Sequence, residues 1–227
     1  MRHGSGTVVE DNVFLGNGVD HTGGIRVING DQTIRNNYME GLAGYRFGGA
    51  LVVMNGVPNS PINRYHQVEN ALIENNTLIN SDHVQLAAGS DAERSAVPVR
   101  SVIQNNVFFH DSAAEIFTVY DDVSGIEIKN NVENFNSKFG ENPNFRRLKM
   151  AMQRAENGLM YPLSEDLLSV GVSRDIDPIE KEGTGVDWYV KPAKAPRFSG
   201  GKETIVAPAE GSLAVAVAAA YDGDVLL

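Results

Sequence analysis

Five short phrases recur along the first 132 residues: VVEDNVF, TIRNNYM, LIENNTL, VIQNNVF and IEIKNNV. Each sets an aliphatic residue and two polar ones ahead of an asparagine, usually with another apolar residue after it. The shared asparagines are Asn12, Asn37, Asn76, Asn106 and Asn131, at intervals of 25, 39, 30 and 25 residues. That spacing is too variable for helical solenoids and too regular for chance. A period near 25, filled by short β-rich runs and punctuated by Gly and Asn, predicts one coil of a parallel β-helix per repeat. Successive coils of such a solenoid stack at the strand spacing of about 4.8 Å.

The asparagines then lie one above another at a turn, where they can tolerate left-handed backbone angles and bond along the stack as an amide ladder. Val9, Ile34, Ile73, Ile103 and Ile128 are expected to form a parallel inward stack beside them. Helices compete poorly here, because turn signals interrupt a glycine-rich, β-branched sequence every few residues. The 39-residue interval must hold an insertion, and GVPNSPINRYHQ, with two prolines, is the candidate loop. Long loops on solenoids often border the binding face.

After Asn131 the repeat stops. Residues 1–140 are assigned to solenoid coils, 141–202 to a capping region and connector, and 203–227 to the start of a second β-helix, truncated. One short helix is expected around Asn144 to Asn157, ending before Gly158. Trp188 and Tyr189 in the connector are read as packing anchors. The last stretch predicts a strand at Thr204 to Val206, an alanine-rich amphipathic helix at roughly Ser212 to Ala220, and a strand entry in YDGDVLL.

Composition narrows the partners. A net charge of −10 argues against nucleic acid, whose binding needs positive surface. No apolar run is long enough to span a membrane, and no signal peptide is written at the N-terminus. Zero cysteines exclude disulfides and thiolate metal sites. Residues 1–128 contain seven arginines (Arg2, Arg26, Arg35, Arg46, Arg64, Arg94 and Arg100) and no lysine. Arginine's planar fork binds carboxylates at two points, so this cation set suits a carboxylated ligand. His21, His83 and His110 show no metal-ligand spacing. No helix start follows Gly23-Gly24 or Gly48-Gly49, against a phosphate loop. Asp121 and Asp122 read as a polar turn.

Four phrases carry a family resemblance: RHGSGTVVEDNVFLGNG at 2–18, HTGGIRVING at 21–30, ALVVMNGVPNSPINRYHQV at 50–68 and LIENNTLINSDHVQL at 72–86. With them the chain resembles polysaccharide lyase family 6, the alginate lyases and chondroitinase B, over roughly residues 2–200. The closing AVAVAAAYDGDVLL looks like the start of the second β-helix of the larger, two-domain alginate lyases. The resemblance implies an all-β, right-handed, single-stranded parallel β-helix with a short helical and loop C-terminal region. It also implies β-elimination at a uronic acid, an anionic polysaccharide (alginate) as partner, and a periplasmic or secreted location.

By the same resemblance Arg2 takes the catalytic acid position. An arginine's high pKa makes it a better electrostatic clamp for developing negative charge than a proton donor. The lysine base and the asparagine and glutamates that hold calcium in the family would lie on preceding coils, so calcium belongs to the intact parent and no metal is expected in this piece. Aligned on the coil asparagines, Arg26 falls almost one coil above Arg2, so the two would face the same polyuronate. His3, Tyr65 and His66, with Arg46 and Arg64 flanking, complete the expected substrate-binding set. Alternative readings are a dermatan sulfate lyase like chondroitinase B and a non-catalytic polysaccharide-binding β-helix.

Overall fold

The computed structural model describes residues 1, 3–61, 64–82, 84–112, 117–134, 144–176, 203–206, 212–220 and 224–227. Residues Met1–Pro178 and Ile179–Leu227 form two separate units.

The first unit winds in coils of three short strands. The first coil holds β1 (Val8–Glu10), β2 (Val13–Leu15) and β3 (Ile25–Val27), and the second β4 (Thr33–Arg35), β5 (Tyr38–Glu40) and β6 (Leu51–Met54). The third holds β7 (Leu72–Glu74), β8 (Thr77–Ile79) and β9 (Val84–Ala88), and the fourth β10 (Ser101–Gln104), β11 (Val107–Phe109) and β12 (Phe117–Val119). β13 (Ile126–Lys129), β14 (Asn131–Glu133) and β15 (Phe145–Arg147) close the stack. Corresponding strands pair in parallel, giving three sheets: β1-β4-β7-β10-β13, β2-β5-β8-β11-β14-β15 and β3-β6-β9-β12. The chain is thus an all-β parallel β-helix, as the repeat predicts.

The register matches the sequence alignment residue for residue. Val9, Ile34, Ile73, Ile103 and Ile128 are successive partners in the first sheet and pack into one apolar core. Phe14, Met39, Leu78 and Phe108 stack from the second sheet, and Ile25, Leu51, Val84 and Phe117 from the third. Between the first two sheets runs the amide ladder. Asn12, Asn37, Asn76 and Asn106 each donate from Nδ2 to the next asparagine's Oδ1, at 3.0, 2.9, 2.9 and 2.9 Å. The left-handed angles fall not on these asparagines but on the residues before them: Asp11, Asn36, Asn75, Asn105 and Asn130, with φ between 51° and 58°. The preceding residue turns the corner, which leaves the ladder asparagine free to point inward.

The glycine pairs serve the same stacking. The Gly24 amide donates to the Gly49 carbonyl, and a Cβ on Gly24 would sit 2.1 Å from the Ala50 carbonyl oxygen, so neighbouring coils close here only without side chains. The proline-bearing insertion leaves the solenoid after β6 and returns through a hydrogen bond from Val57 N–H to the Tyr65 carbonyl, 2.7 Å.

The helix expected at 144–157 is corrected. Phe145 is buried as an added rung of the second sheet, and β16 (Met152–Arg154) pairs antiparallel with β17 (Met160–Pro162), Gly158 at φ 82° making the turn. Residues 150–176 lie along the outer face of the second sheet, where Met150, Leu159, Tyr161, Leu167, Val170, Val172 and Ile176 cover Tyr38, Ile79, Val107 and Val132. Apolar residues spaced for a helix are used here by an extended strap following a flat sheet.

In the second unit, β18 (Glu203–Thr204) pairs in parallel with β19 (Val225–Leu226), and α1 (Ser212–Ala219) stands between them in sequence. The helix agrees with its expected position but is not amphipathic: Ala and Val surround it, and Leu213, Val215 and Val217 are exposed. Trp188 and Tyr189 lie outside the described residues.

Candidate functional site

The solenoid has three outer faces, and they differ in what they offer a ligand. The second sheet is covered by the strap. The first presents the row Glu10, Arg35, Glu74, Gln104 and Lys129, in which Arg35 pairs with Glu10 at 2.6 Å and Gln104 donates to Glu74 at 2.6 Å. Lys129 pairs with Glu127 at 3.3 Å, so both cations of this row hold a carboxylate. The third face, outside β3-β6-β9-β12, carries cations and aromatic rings together.

Arg26 is the outward residue of β3, followed in register by Val52, Gln85 and Thr118 on the next three strands. Its guanidinium donates to the Phe47 carbonyl in the loop before β6. Arg46, the neighbour of Phe47, has φ 53° and places its guanidinium 5.4 Å from the centre of the exposed Tyr45 ring, whose edge meets His21 at 5.5 Å. Phe47 packs edge-on against Tyr120 at 5.7 Å, and the Tyr120 hydroxyl accepts from Gln85 Nε2 at 2.9 Å. Phe47 and Tyr65 both rest on the apolar patch of Ile28, Val52, Met54 and Ala88.

Beyond Tyr65 the loop forms a cleft of about 190 Å³, lined by Val57, Arg64, Tyr65, Glu93 and Arg94. Arg64 pairs with Glu93 at 3.3 Å. Arg94 is bound to Asp91, whose carboxyl that hydrogen bond holds down at about 2. Hydrogen bonds from Ser90, the Asp122 amide and Asn55 likewise hold the Asp121 carboxyl below the usual range, so Asp121 fastens the floor of this region besides shaping a turn.

Pairing separates the arginines. Among the described residues of 1–128, Arg35, Arg64, Arg94 and Arg100 each hold a carboxylate, whereas Arg26 and Arg46 hold a carbonyl and a ring. These two exposed cations, with no carboxylate partner among the described residues, are available to an anionic ligand on a face that also offers rings for sugar stacking.

The structure therefore brings Arg26, Arg46, Arg64 and Tyr65 to one side of the molecule. His66 returns to β3 through its carbonyl, which accepts from Asn29 N–H at 3.3 Å. His3 is exposed. Arg2 and His83 lie outside the described residues, and so does the register between Arg2 and Arg26. Sequence reasoning missed Tyr45, Phe47, Gln85, Tyr120 and Arg94 as contributors. The run GYRFGG, an arginine between two rings bracketed by glycines, was the available signal for the first two. Among the described residues no three His, Asp or Glu side chains converge as metal ligands.

A family profile described as Chondroitinase B matches residues 1–180. Among solved structures, the chain is 55% identical to the PL6 family alginate lyase AlyGC, covering 100% of this chain and 31% of that one, with a TM-score of 0.80. It is 26% identical to a mannuronic acid specific polysaccharide family 6 lyase from human gut microbiota, covering 66% of this chain and 36% of that one, TM-score 0.57. The chain spans about a third of the length of these proteins. A search of curated proteins returns no match.

Proposed function

The chain belongs to the chondroitinase B family, polysaccharide lyase family 6, and from that premise we propose that the protein cleaves alginate by β-elimination at its uronic acid units. In that reaction a base removes the proton beside the carboxylate, cations neutralise the carboxylate so that the carbanion is tolerable, and the glycosidic oxygen departs. The observation that carries the reading is the pair Arg26 and Arg46, exposed, joined through one loop and free of carboxylate partners among the described residues.

Arg26 and Arg46 bind successive carboxylates of the polyuronate, Tyr45 and Tyr65 stack against its sugar faces, and the cleft beside Tyr65, where Arg64 and Arg94 are already paired with Glu93 and Asp91, meets sugar hydroxyls further along. By family resemblance Arg2 is assigned the stabilisation of charge on the departing oxygen; His3 is assigned its support as its chain neighbour, and His66, at the end of the insertion, a contact to the substrate. Residues 1–128 contain no lysine, so the family's lysine base is not among these coils. Calcium, by the same resemblance, would be held by residues of the intact protein on other coils. A periplasmic or secreted location follows from the same resemblance, as does a second β-helix beginning at residue 203.

The test is to titrate the 227-residue chain with oligouronates from alginate and with dermatan sulfate oligosaccharides, following binding by calorimetry and turnover by the ultraviolet absorbance of unsaturated product. Binding of the alginate oligomers without turnover is expected. Preference for dermatan sulfate would move the substrate to the chondroitinase side, and binding of neither would remove the polysaccharide reading from this face.

A further inference from the structure

Four asparagines precede a glycine: Asn17, Asn29, Asn55 and Asn157. Glycine has no Cβ, so its backbone nitrogen is the least shielded that can approach the preceding carboxamide. In three of the four, that nitrogen is tied to another residue's carbonyl: Gly18 to Gly41 at 2.7 Å, Gly56 to Ala96 at 2.8 Å and Gly158 to Ala155 at 2.9 Å. Gly30 differs. Its N–H points to Oδ1 of Asn29 itself, at 2.8 Å. Since a carbonyl bond is about 1.2 Å long, the Gly30 nitrogen lies within about 4 Å of the Asn29 side-chain carbon.

Two of the other three carboxamides are held as well, and Asn17 is set apart from Asn29 by the Gly18 bond alone. Asn55 is fully buried and donates to Asp121 and to the Arg94 carbonyl, and Asn157 donates to the Tyr161 hydroxyl. Asn29 is half-buried at a left-handed corner, φ 76°, just past β3. Its leaving nitrogen has no such anchor among the described residues.

We propose that Asn29 is a site of spontaneous cyclisation and deamidation. The Gly30 nitrogen loses its proton to solvent and attacks Asn29 Cγ; the N–Cγ bond forms, the Cγ–Nδ2 bond breaks, and Nδ2 takes a proton from solvent and leaves as ammonia. Water then opens the five-membered imide at either carbonyl, giving aspartate or isoaspartate. One water is consumed and one ammonia released, with no oxidant or reductant. The new carboxylate lies beside the Asn29–His66 contact, where the insertion loop rejoins β3.

Arginines at 26, 35, 46, 64, 154 and 174 place each of the four asparagines in its own tryptic peptide, the one at issue running from Val27 to Arg35. The native chain is incubated at mildly alkaline pH and physiological temperature, and a second sample is incubated in urea. In the native sample the amide-to-acid mass gain and isoaspartate appear in the 27–35 peptide an order of magnitude faster than in the other three, whereas in urea the four rates converge. Gly30→Ala, whose Cβ would meet nothing closer than the Glu69 carbonyl at 3.6 Å, slows the reaction without unfolding the chain. Earlier conversion of Asn17, the same ranking in urea as in buffer, or an unmodified 27–35 peptide overturns the proposal.

Discussion

Arg26 and Phe47 lie on neighbouring coils, and the guanidinium of one donates to the main-chain carbonyl of the other. A carbonyl orients the cation without neutralising it, so Arg26 keeps its charge for a ligand, whereas Arg35 on the first sheet spends its charge on Glu10.

Arg26→Ala is therefore expected to weaken oligouronate binding about ten- to a hundredfold, the loss of one hydrogen bond to a charged group at about 1.5–3 kcal/mol. Arg35→Ala should leave the affinity unchanged. Calorimetric titration of both variants checks this, and equal losses would mean that net charge rather than this face governs binding.

Tyr120 packs against the ring of Phe47, whose carbonyl holds Arg26, and its hydroxyl accepts from Gln85. Tyr120→Ala should free Phe47 and lower oligouronate affinity several-fold, while Tyr120→Phe, which keeps the ring contact, retains most of it. An identical effect from both would locate the contribution in the hydroxyl instead.

Interior members of the amide ladder should matter more than its end. Asn76 is fully buried and bonded to Asn37, Asn106 and the Ile34 carbonyl, while Asn12 is exposed. Asn76→Ala leaves several buried groups unpaired and should cost about 3 kcal/mol, Asn12→Ala about 1 kcal/mol. Urea unfolding monitored by circular dichroism gives both values, and equal costs would show that the ladder does not act as a stack.

Alkaline stability should depend on Tyr38. Burial, and then its hydrogen bond to Glu40, push this phenol well above its ordinary value near 10. A pKa raised in the folded state contributes stability that is complete below the unfolded value and is lost as pH rises toward the folded one. Unfolding should therefore become easier above about pH 10. Tyr38→Phe should flatten that dependence, and an unchanged alkaline profile in a thermal melt would assign it to another group.

The coil count and the register of the first sheet were legible because every coil must present the same apolar and amide groups to its neighbours. One pattern, aliphatic then polar, polar, asparagine, therefore recurs wherever a rung exists. The strap at 150–176 was not legible in the same way: Met150, Leu159 and Val170 carry no period of their own and take their conformation from the flat sheet they cover. Similarly, Arg26, Arg46, Arg64 and Tyr65 could be named from residue type and resemblance, but their pairing could not.

What the sequence by itself determined is the stacked solenoid, since translation by one coil imposes a repeated chemical requirement that linear text can display. Only the tertiary structure decided which arginines remain unpaired and which face carries the rings. Those outcomes depend on loop residues such as 44–48, 57–61, 64–66 and 89–95, whose meeting across coils is set by distance in space, and distance in space has no signature in the spacing of residues along the chain.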